Sequence, residues 1–276
     1  MRLPLPDWLI YCSVIGVILI ASLSRGEKAN VPATDSVPPE EAGAELLGPI
    51  TPFDPSVVVE AGDSDNRPQM GTAFSIADDG RWITARHVVE GCRQPALIID
   101  KQRALAADVR LAAKTDVALL LTDGGPPALP LAGDEPLYKG QRAFHPGFPQ
   151  GKAGEVASRL IGRETLKVRG RHNYDEPVLA WAESGRTNGL DGTLSGLSGA
   201  PVMDRRGRVL GVTIAESPRR GRIYTTAPSS FVAAVGSHRS RDAEGLGQVV
   251  TTRNYGAVSD QLRRDLRVAQ VVCLAV

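Results

Sequence analysis

Short apolar stretches separated by turn residues recur along this chain and predict many short β-strands. Residues 71–76 and 81–85 predict the two strands of a hairpin, because the sequence Asp-Asp-Gly between them favours a tight turn. Residues 202–214 predict a second hairpin of the same kind. Near the C-terminus the spacing changes, so that residues 259–266 predict a short helix and residues 268–276 a strand.

The N-terminal part of the chain has a different character. Residues 8–24 are uncharged and mostly Leu, Ile and Val, a run longer than a usual signal-peptide core and at the short end for a membrane span. We expect residues 1–24 to be an uncleaved signal anchor, with a cleaved signal peptide as the alternative. Residues 25–55 are rich in proline and predict a flexible linker. The folded domain is then expected at 56–240, followed by a tail of unclear role at 241–276.

A histidine, an aspartate and a serine follow one another in three short motifs. His87, Asp116 and Ser198 occur in the chain order of the chymotrypsin-type catalytic triad, whereas other serine hydrolase folds use other orders. A lipase or esterase is therefore a weaker interpretation. The motifs are Thr-Ala-Arg-His-Val-Val at 84–89, Thr-Asp-Val-Ala-Leu-Leu at 115–120 and Gly-Leu-Ser-Gly-Ala-Pro at 196–201.

Each motif fits the chemistry expected of it. His87 follows a predicted strand end, and Asp116 precedes an apolar strand, where a buried carboxylate can orient the imidazole. The backbone N–H groups of Gly196 and Ser198 are the expected donors to an oxyanion, since glycine allows the tight turn that makes such amides converge. The remaining histidines have no comparable context and are expected on the surface or in loops; they are His145, His172 and His238.

Residues 57–235 resemble the trypsin-like serine peptidase superfamily, most closely the bacterial HtrA-like peptidases. The three motifs carry this resemblance, together with Pro-Gly-Phe-Pro-Gln-Gly at 146–151 and Tyr-Thr-Thr-Ala-Pro at 224–228. The resemblance implies an all-β fold of two antiparallel six-stranded β-barrels, chymotrypsin-like, to which the N-terminal membrane helix and a short C-terminal helix and strand are added. The tail is too short for a complete PDZ domain. The implied activity is that of a serine endopeptidase that acts through an acyl-enzyme, with a catalytically silent or ligand-gated binding or sensor protein of the same fold as the alternative.

The same resemblance suggests which residues contact the substrate. The pocket floor of this superfamily lies six residues before the serine, which is Gly192 here. Because no acid stands at that position, a preference for Lys or Arg would need another source, such as Glu216. We expect small or medium apolar side chains to be accepted, with Ile214 and Ala215 lining the cleft.

Composition narrows the partners and the location. The net charge of +1 gives no reason to expect a nucleic-acid partner, and no Cys/His spacing suits a metal site, so no cofactor is expected. Cys92 and Cys273 could pair in an oxidising compartment or remain two buried thiols. The expected partners are a protein or peptide substrate and a membrane, through residues 8–24; the oligomeric state stays open. The domain is expected on the periplasmic or extracellular side of the cell membrane, held by a single span.

Overall fold

Two β-sheets form the framework of the part of the chain that the structure describes. This structure is a computed structural model, and it describes residues 44–61, 70–133, 135–170, 173–236 and 245–274. Within these ranges lie fourteen strands, three α-helices and two short 3-10 turns. The all-β class expected from the sequence is confirmed.

The strands are β1 Ser56–Ala61, β2 Met70–Ala77, β3 Arg81–Ala85, β4 Pro95–Ile98, β5 Ala104–Ala106, β6 Asp108–Leu111, β7 Val117–Leu121, β8 Arg142–Gly147, β9 Gly154–Gly170, β10 Tyr174–Arg186, β11 Pro201–Met203, β12 Val209–Ser217, β13 Arg222–Thr226 and β14 Val268–Cys273. The α-helices are Arg86–Val89, Pro228–Val235 and Tyr255–Arg264, and the 3-10 turns are Pro149–Gly151 and Pro218–Arg220.

The first sheet has the strand order β5-β4-β14-β2-β3-β7-β6. The predicted hairpin is present, since β2 and β3 pair antiparallel with Phe74 opposite Ile83. Gly80 ends its turn at φ +95°, where a Cβ atom would lie 2.2 Å from the Thr122 carbonyl oxygen. Glycine is required there by both the backbone angle and the close approach of the neighbouring chain.

The second sheet has the order β1-β9-β10-β13-β12-β11-β8, and an additional pairing of β8 with β9 closes it. Two features differ from the expected pair of six-stranded antiparallel barrels. Each sheet has seven strands, and β1 pairs with β9 in parallel, with Val57 opposite Leu166. The extra strands come from the two ends of the described chain, β1 in the second sheet and β14 in the first.

The C-terminal segment is an internal part of the first sheet rather than an appendage. Strand β14 lies between β2 and β4 and forms backbone hydrogen bonds with both. The preceding helix Tyr255–Arg264 buries Val258 and Leu262, and its Arg263 pairs with Glu155 of β9 at 2.7 Å. A segment that fills the gap between two strands satisfies backbone groups that would otherwise be exposed at two edges.

A disulfide bond ties this strand to the loop that follows the helix Arg86–Val89. The sulfur atoms of Cys92 and Cys273 are bonded, with their Cα atoms 5.6 Å apart. Of the two states that the sequence left open for these cysteines, the structure has the paired one.

The predicted linker is in part ordered at its C-terminal end. Leu47 packs into the apolar core of the second sheet, and its backbone N–H donates to the carbonyl oxygen of Leu137 at 2.7 Å. This differs from the expected flexible linker, because one buried leucine and its backbone pairing hold the chain. The predicted membrane segment at 8–24 lies outside the described residues. None of the helices that the structure does describe is long and apolar enough to cross a membrane.

Large aromatic side chains fill the interior of both sheets. Trp82 and Trp181 are almost fully buried, in the first and second sheet respectively. Each indole N–H finds an acceptor, the hydroxyl of Thr122 at 3.0 Å and that of Thr225 at 2.9 Å. Satisfied polar edges let these rings contribute their apolar area without leaving an unpaired donor in the core.

Candidate active site

His87 and Asp116 lie side by side because of the register between two paired strands. Strand β3 ends at Ala85, which pairs with Val117 at the start of β7. His87, just after β3, and Asp116, just before β7, are therefore neighbours. His87 Nδ1 lies 2.6 Å from Oδ2 of Asp116. The backbone N–H of His87 donates to the other carboxylate oxygen at 2.9 Å. The carboxylate therefore fixes both the backbone and the ring of the histidine.

The two side chains differ in exposure. The Asp116 side chain is 5% exposed, whereas that of His87 is 45% exposed. Desolvation in the cleft lowers the pKa of His87, but the charge and the hydrogen bond of Asp116 outweigh it, and the net effect raises the pKa above its ordinary value. The imidazolium form is stabilised, as expected of a base that carries a proton during a reaction.

Ser198 lies on a tight loop that packs directly against the strand leading to His87. The Ser198 carbonyl oxygen accepts from the Thr72 N–H at 2.8 Å, and the Gly199 N–H donates to the Thr213 carbonyl oxygen at 2.7 Å. A Cβ atom placed on Gly199 would lie 2.0 Å from the Thr72 carbonyl oxygen and 2.9 Å from the Ala85 nitrogen. Because Gly199 has no side chain, the serine loop can pack against the backbone of Ala85, which lies two residues before His87 in the sequence.

The amides around Ser198 fall into two groups. The N–H groups of Leu197 and Ala200 donate to carbonyl oxygens within the loop, at 2.8 and 2.9 Å. Those of Gly196 and Ser198 have no hydrogen-bond acceptor within the part of the chain that the structure describes. Gly196 has φ +93°, and a Cβ atom there would lie 2.5 Å from the Phe148 carbonyl oxygen. The loop thus carries two unused donors, one at the serine and one two residues before it.

A small cavity of about 30 Å³ opens beside Ser198. Ala215 is among its lining residues, whereas Gly192 and Ile214 are not. Ile214 is 3% exposed and packs in the core, because alternate residues of a strand point to opposite faces. The carbonyl oxygen of Gly192 accepts from the Arg186 guanidinium at 3.0 Å. The lining residues are Leu194, Ser195, Leu197, Ser198, Thr213, Ala215, Glu216 and Ile223.

Glu216 contributes its carboxylate to the wall of this cavity. Its two oxygens each accept from the Leu194 N–H at 2.9 Å, and the Thr193 hydroxyl also donates to it. The carboxylate therefore holds the loop that precedes the serine. The sequence motif gave no indication of this role, since Glu216 lies far along the chain from Leu194.

His145 corrects an expectation from the sequence. It is fully buried rather than in a surface loop, and its ring nitrogens contact the hydroxyls of Thr213 at 3.0 Å and Ser158 at 2.7 Å. Burial lowers the pKa of His145 to about 3, so the ring is neutral. The sequence around His145 could not predict this burial, because its two polar partners come from other strands, Thr213 from β12 and Ser158 from β9. His172 and His238 lie outside the described residues.

Comparison with known proteins decides the family. The trypsin-like peptidase domain matches residues 71–212, about half of the 276-residue chain. The chain belongs to this family. This peptidase is similar to a protein named probable periplasmic serine endoprotease DegP-like, from Halomonas elongata. The two are 30% identical over 179 residues, covering 62% of the peptidase but only 37% of that relative. The resemblance to the HtrA-like peptidases is confirmed.

Solved structures that are similar to this chain include two proteases and one protease domain. The Rv3671c protease from M. tuberculosis in its active form is 18% identical, with 72% of the peptidase and 98% of that chain covered and a TM-score of 0.47. The HtrA-type protease AlgW with a decapeptide is 19% identical, with 70% and 61% covered and a TM-score of 0.49. The MamO protease domain from Magnetospirillum magneticum is 16% identical, with 62% and 95% covered and a TM-score of 0.43.

Proposed function

We propose that this peptidase is an endopeptidase that uses Ser198 as nucleophile, His87 as general base and Asp116 to orient the histidine. Ser198 Oγ attacks the scissile carbonyl carbon while His87 takes the hydroxyl proton. The tetrahedral intermediate collapses to an acyl-enzyme as His87 returns the proton to the leaving amine. Water then attacks the ester by the same route in reverse, which releases the acid and restores the serine.

The observation that carries this proposal is the double hydrogen bond between His87 and Asp116 beside the serine loop. It is supported by the two unused amides of Gly196 and Ser198, which suit a developing oxyanion. An oxyanion donor typically contributes about 3 kcal/mol of barrier reduction. Both donors belong to backbone, so they cost no rearrangement during the reaction.

The test is covalent labelling of the full-length chain with a fluorophosphonate probe. Wild type should be labelled, and Ser198→Ala should not. The matched control is Ser229→Ala, which removes an exposed serine of the helix Pro228–Val235, outside the cavity, and should leave labelling intact. Labelling of Ser198→Ala would refute the assignment of the nucleophile, and no labelling of folded wild type would favour the silent binding protein instead.

We further propose that the residue before the cleaved bond has a small, uncharged side chain. The cavity beside Ser198 is narrow, and its walls include Leu197, Ala215 and Ile223. Glu216 is held in place by the Leu194 amide and the Thr193 hydroxyl, and a cavity of about 30 Å³ leaves little room for a long lysine or arginine side chain. Peptide esters that differ only in this side chain should turn over best with Ala or Val. Best turnover with Lys or Arg would overturn the proposal.

We also propose that the peptidase is exported and held at the cell membrane by residues 8–24. Support comes from the apolar run itself, from the Cys92–Cys273 disulfide, which is typical of oxidising compartments, and from the periplasmic location in the name of the DegP-like relative. A C-terminal alkaline phosphatase fusion should be active in cells. Alkaline carbonate should leave the full-length protein in the membrane fraction, whereas a shortened soluble form would show that the segment is cleaved.

A further inference from the structure

A buried glutamate of the second sheet reaches the turn that carries Asp116 in the first. Glu176 lies in β10 and has no exposed surface. The Thr115 hydroxyl donates to one of its carboxylate oxygens, and the backbone N–H of Asp116 donates to the other at 2.8 Å. Thr115 and Asp116 immediately precede β7. One side chain therefore connects the two sheets at the residue that orients His87.

Packing alone does not account for a carboxyl group at this position. Burial raises the pKa of Glu176 to about 7; the hydrogen bonds from Thr115 and Asp116 oppose this shift, and the charge of Asp116 adds to it. A leucine would fill a similar volume without the unfavourable desolvation of an ionisable group. The carboxyl group, unlike a leucine side chain, accepts two hydrogen bonds, one from the Thr115 hydroxyl and one from the Asp116 backbone N–H.

We propose that Glu176 is a positioning residue for the reaction: it fixes the backbone at Asp116 and, through Asp116, the orientation of His87. The contacts are continuous, because the Asp116 carboxylate receives both the backbone N–H and Nδ1 of His87. This inference rests on the proposed function, since the aligned base is the one assigned there. Glu176 is not among the residues that line the cavity, so it acts on the rate and not on substrate binding.

The test compares three variants of the full-length chain by kcat, KM and the low-field proton resonance of the His87–Asp116 hydrogen bond. Glu176→Leu removes both hydrogen bonds and should lower kcat about 100-fold, the effect of a small misplacement of a catalytic group. Its KM should change less than about twofold, and the resonance should shift or broaden. Glu176→Gln should restore most of kcat, because its amide oxygen accepts from Asp116 while its NH₂ donates to the Thr115 hydroxyl.

The variant Thr115→Val tests the same inference even if Glu176→Leu does not fold. This nearly isosteric change removes one of the two hydrogen bonds and should lower kcat about tenfold. The matched control is Glu164→Leu, which deletes another buried glutamate, paired with Arg222 at 2.8 Å on the second sheet. That variant should lose stability but keep kcat per folded molecule.

The outcomes separate this inference from the proposed function. If wild type is labelled by the fluorophosphonate but folded Glu176→Leu or Thr115→Val keeps the wild-type kcat and resonance, the positioning role is wrong. A KM effect without a kcat effect would also overturn it. If folded wild type is neither labelled nor active, the proposed function fails. If the His87–Asp116 resonance still changes in the Glu176 variants, the part of the inference in which Glu176 positions Asp116 stands without the proposed function.

Discussion

Breaking the disulfide between Cys92 and Cys273 should lower the free energy of unfolding by about 5 kcal/mol. The bond closes a loop across a sequence separation of 181 residues, and a cross-link of that length restricts the unfolded chain strongly in the chain-entropy account. The folded state should persist, because β14 is still paired with both β2 and β4. The perturbation therefore acts mainly on the unfolded chain.

The assay is thermal unfolding followed by circular dichroism, with and without a reductant. For a domain of this size, a loss of about 5 kcal/mol corresponds to a decrease in Tm of about 10–20 °C. The double variant Cys92→Ala/Cys273→Ala should show the lower Tm at once and should not respond to reductant. If mass spectrometry shows that Cys92 and Cys273 are free thiols in reduced wild type while Tm falls by less than about 2 °C, the loop-closure reasoning is wrong.

Three further predictions follow from the site and the core. Because Asp116 raises the pKa of His87 and only the neutral imidazole is a base, kcat/KM should fall with decreasing pH through a midpoint above 6.5. A wild-type midpoint below 6 would contradict this. Asp116→Asn should lower kcat about 10⁴-fold. Gly199→Ala should lower the free energy of unfolding, measured with denaturant, by about 2–5 kcal/mol, because of strain at φ +88° and a clash with backbone atoms. Gly192→Ala, at φ +74° with no atom within 4 Å, should lower it by only about 1–2 kcal/mol. Equal losses in the two variants would refute the contact argument. Leu97→Ala should cost about 2–5 kcal/mol in the same assay, because Leu97 is fully buried in β4, and a cost below about 1 kcal/mol would show that the first sheet refills the cavity.

Local chemistry made some elements predictable from the sequence. The hairpin of β2 and β3 follows from apolar residues on both sides of Asp-Asp-Gly, all within a few residues of one another. The helix near the C-terminus was placed from the spacing of Leu262 and Leu266, although it begins and ends somewhat earlier, at Tyr255 and Arg264. The order of His87, Asp116 and Ser198 in the chain predicts the family without any knowledge of the fold.

Other parts of the fold depended on pairing between distant segments. The sequence predicted a strand at the C-terminus but gave no means of placing β14 between β2 and β4, because any exposed strand edge offers the same backbone groups. The parallel pairing of β1 with β9 was missed for the same reason. The alternation of apolar and polar residues along a strand indicates which face of the strand is buried. It does not indicate which other strand pairs with it.

The candidate site divides in the same way. Residue identity and chain order led to the proposal of His87, Asp116 and Ser198 as the reacting residues, because few side chains can perform that chemistry. The contacts of Glu176 with the Asp116 turn, of Glu216 with the Leu194 amide, and of His145 with two hydroxyls arise only when strands far apart in sequence pack together. Burial and hydrogen bonding between such strands are properties of the folded chain, so the tertiary structure alone decided which of the remaining polar residues meet the proposed catalytic residues.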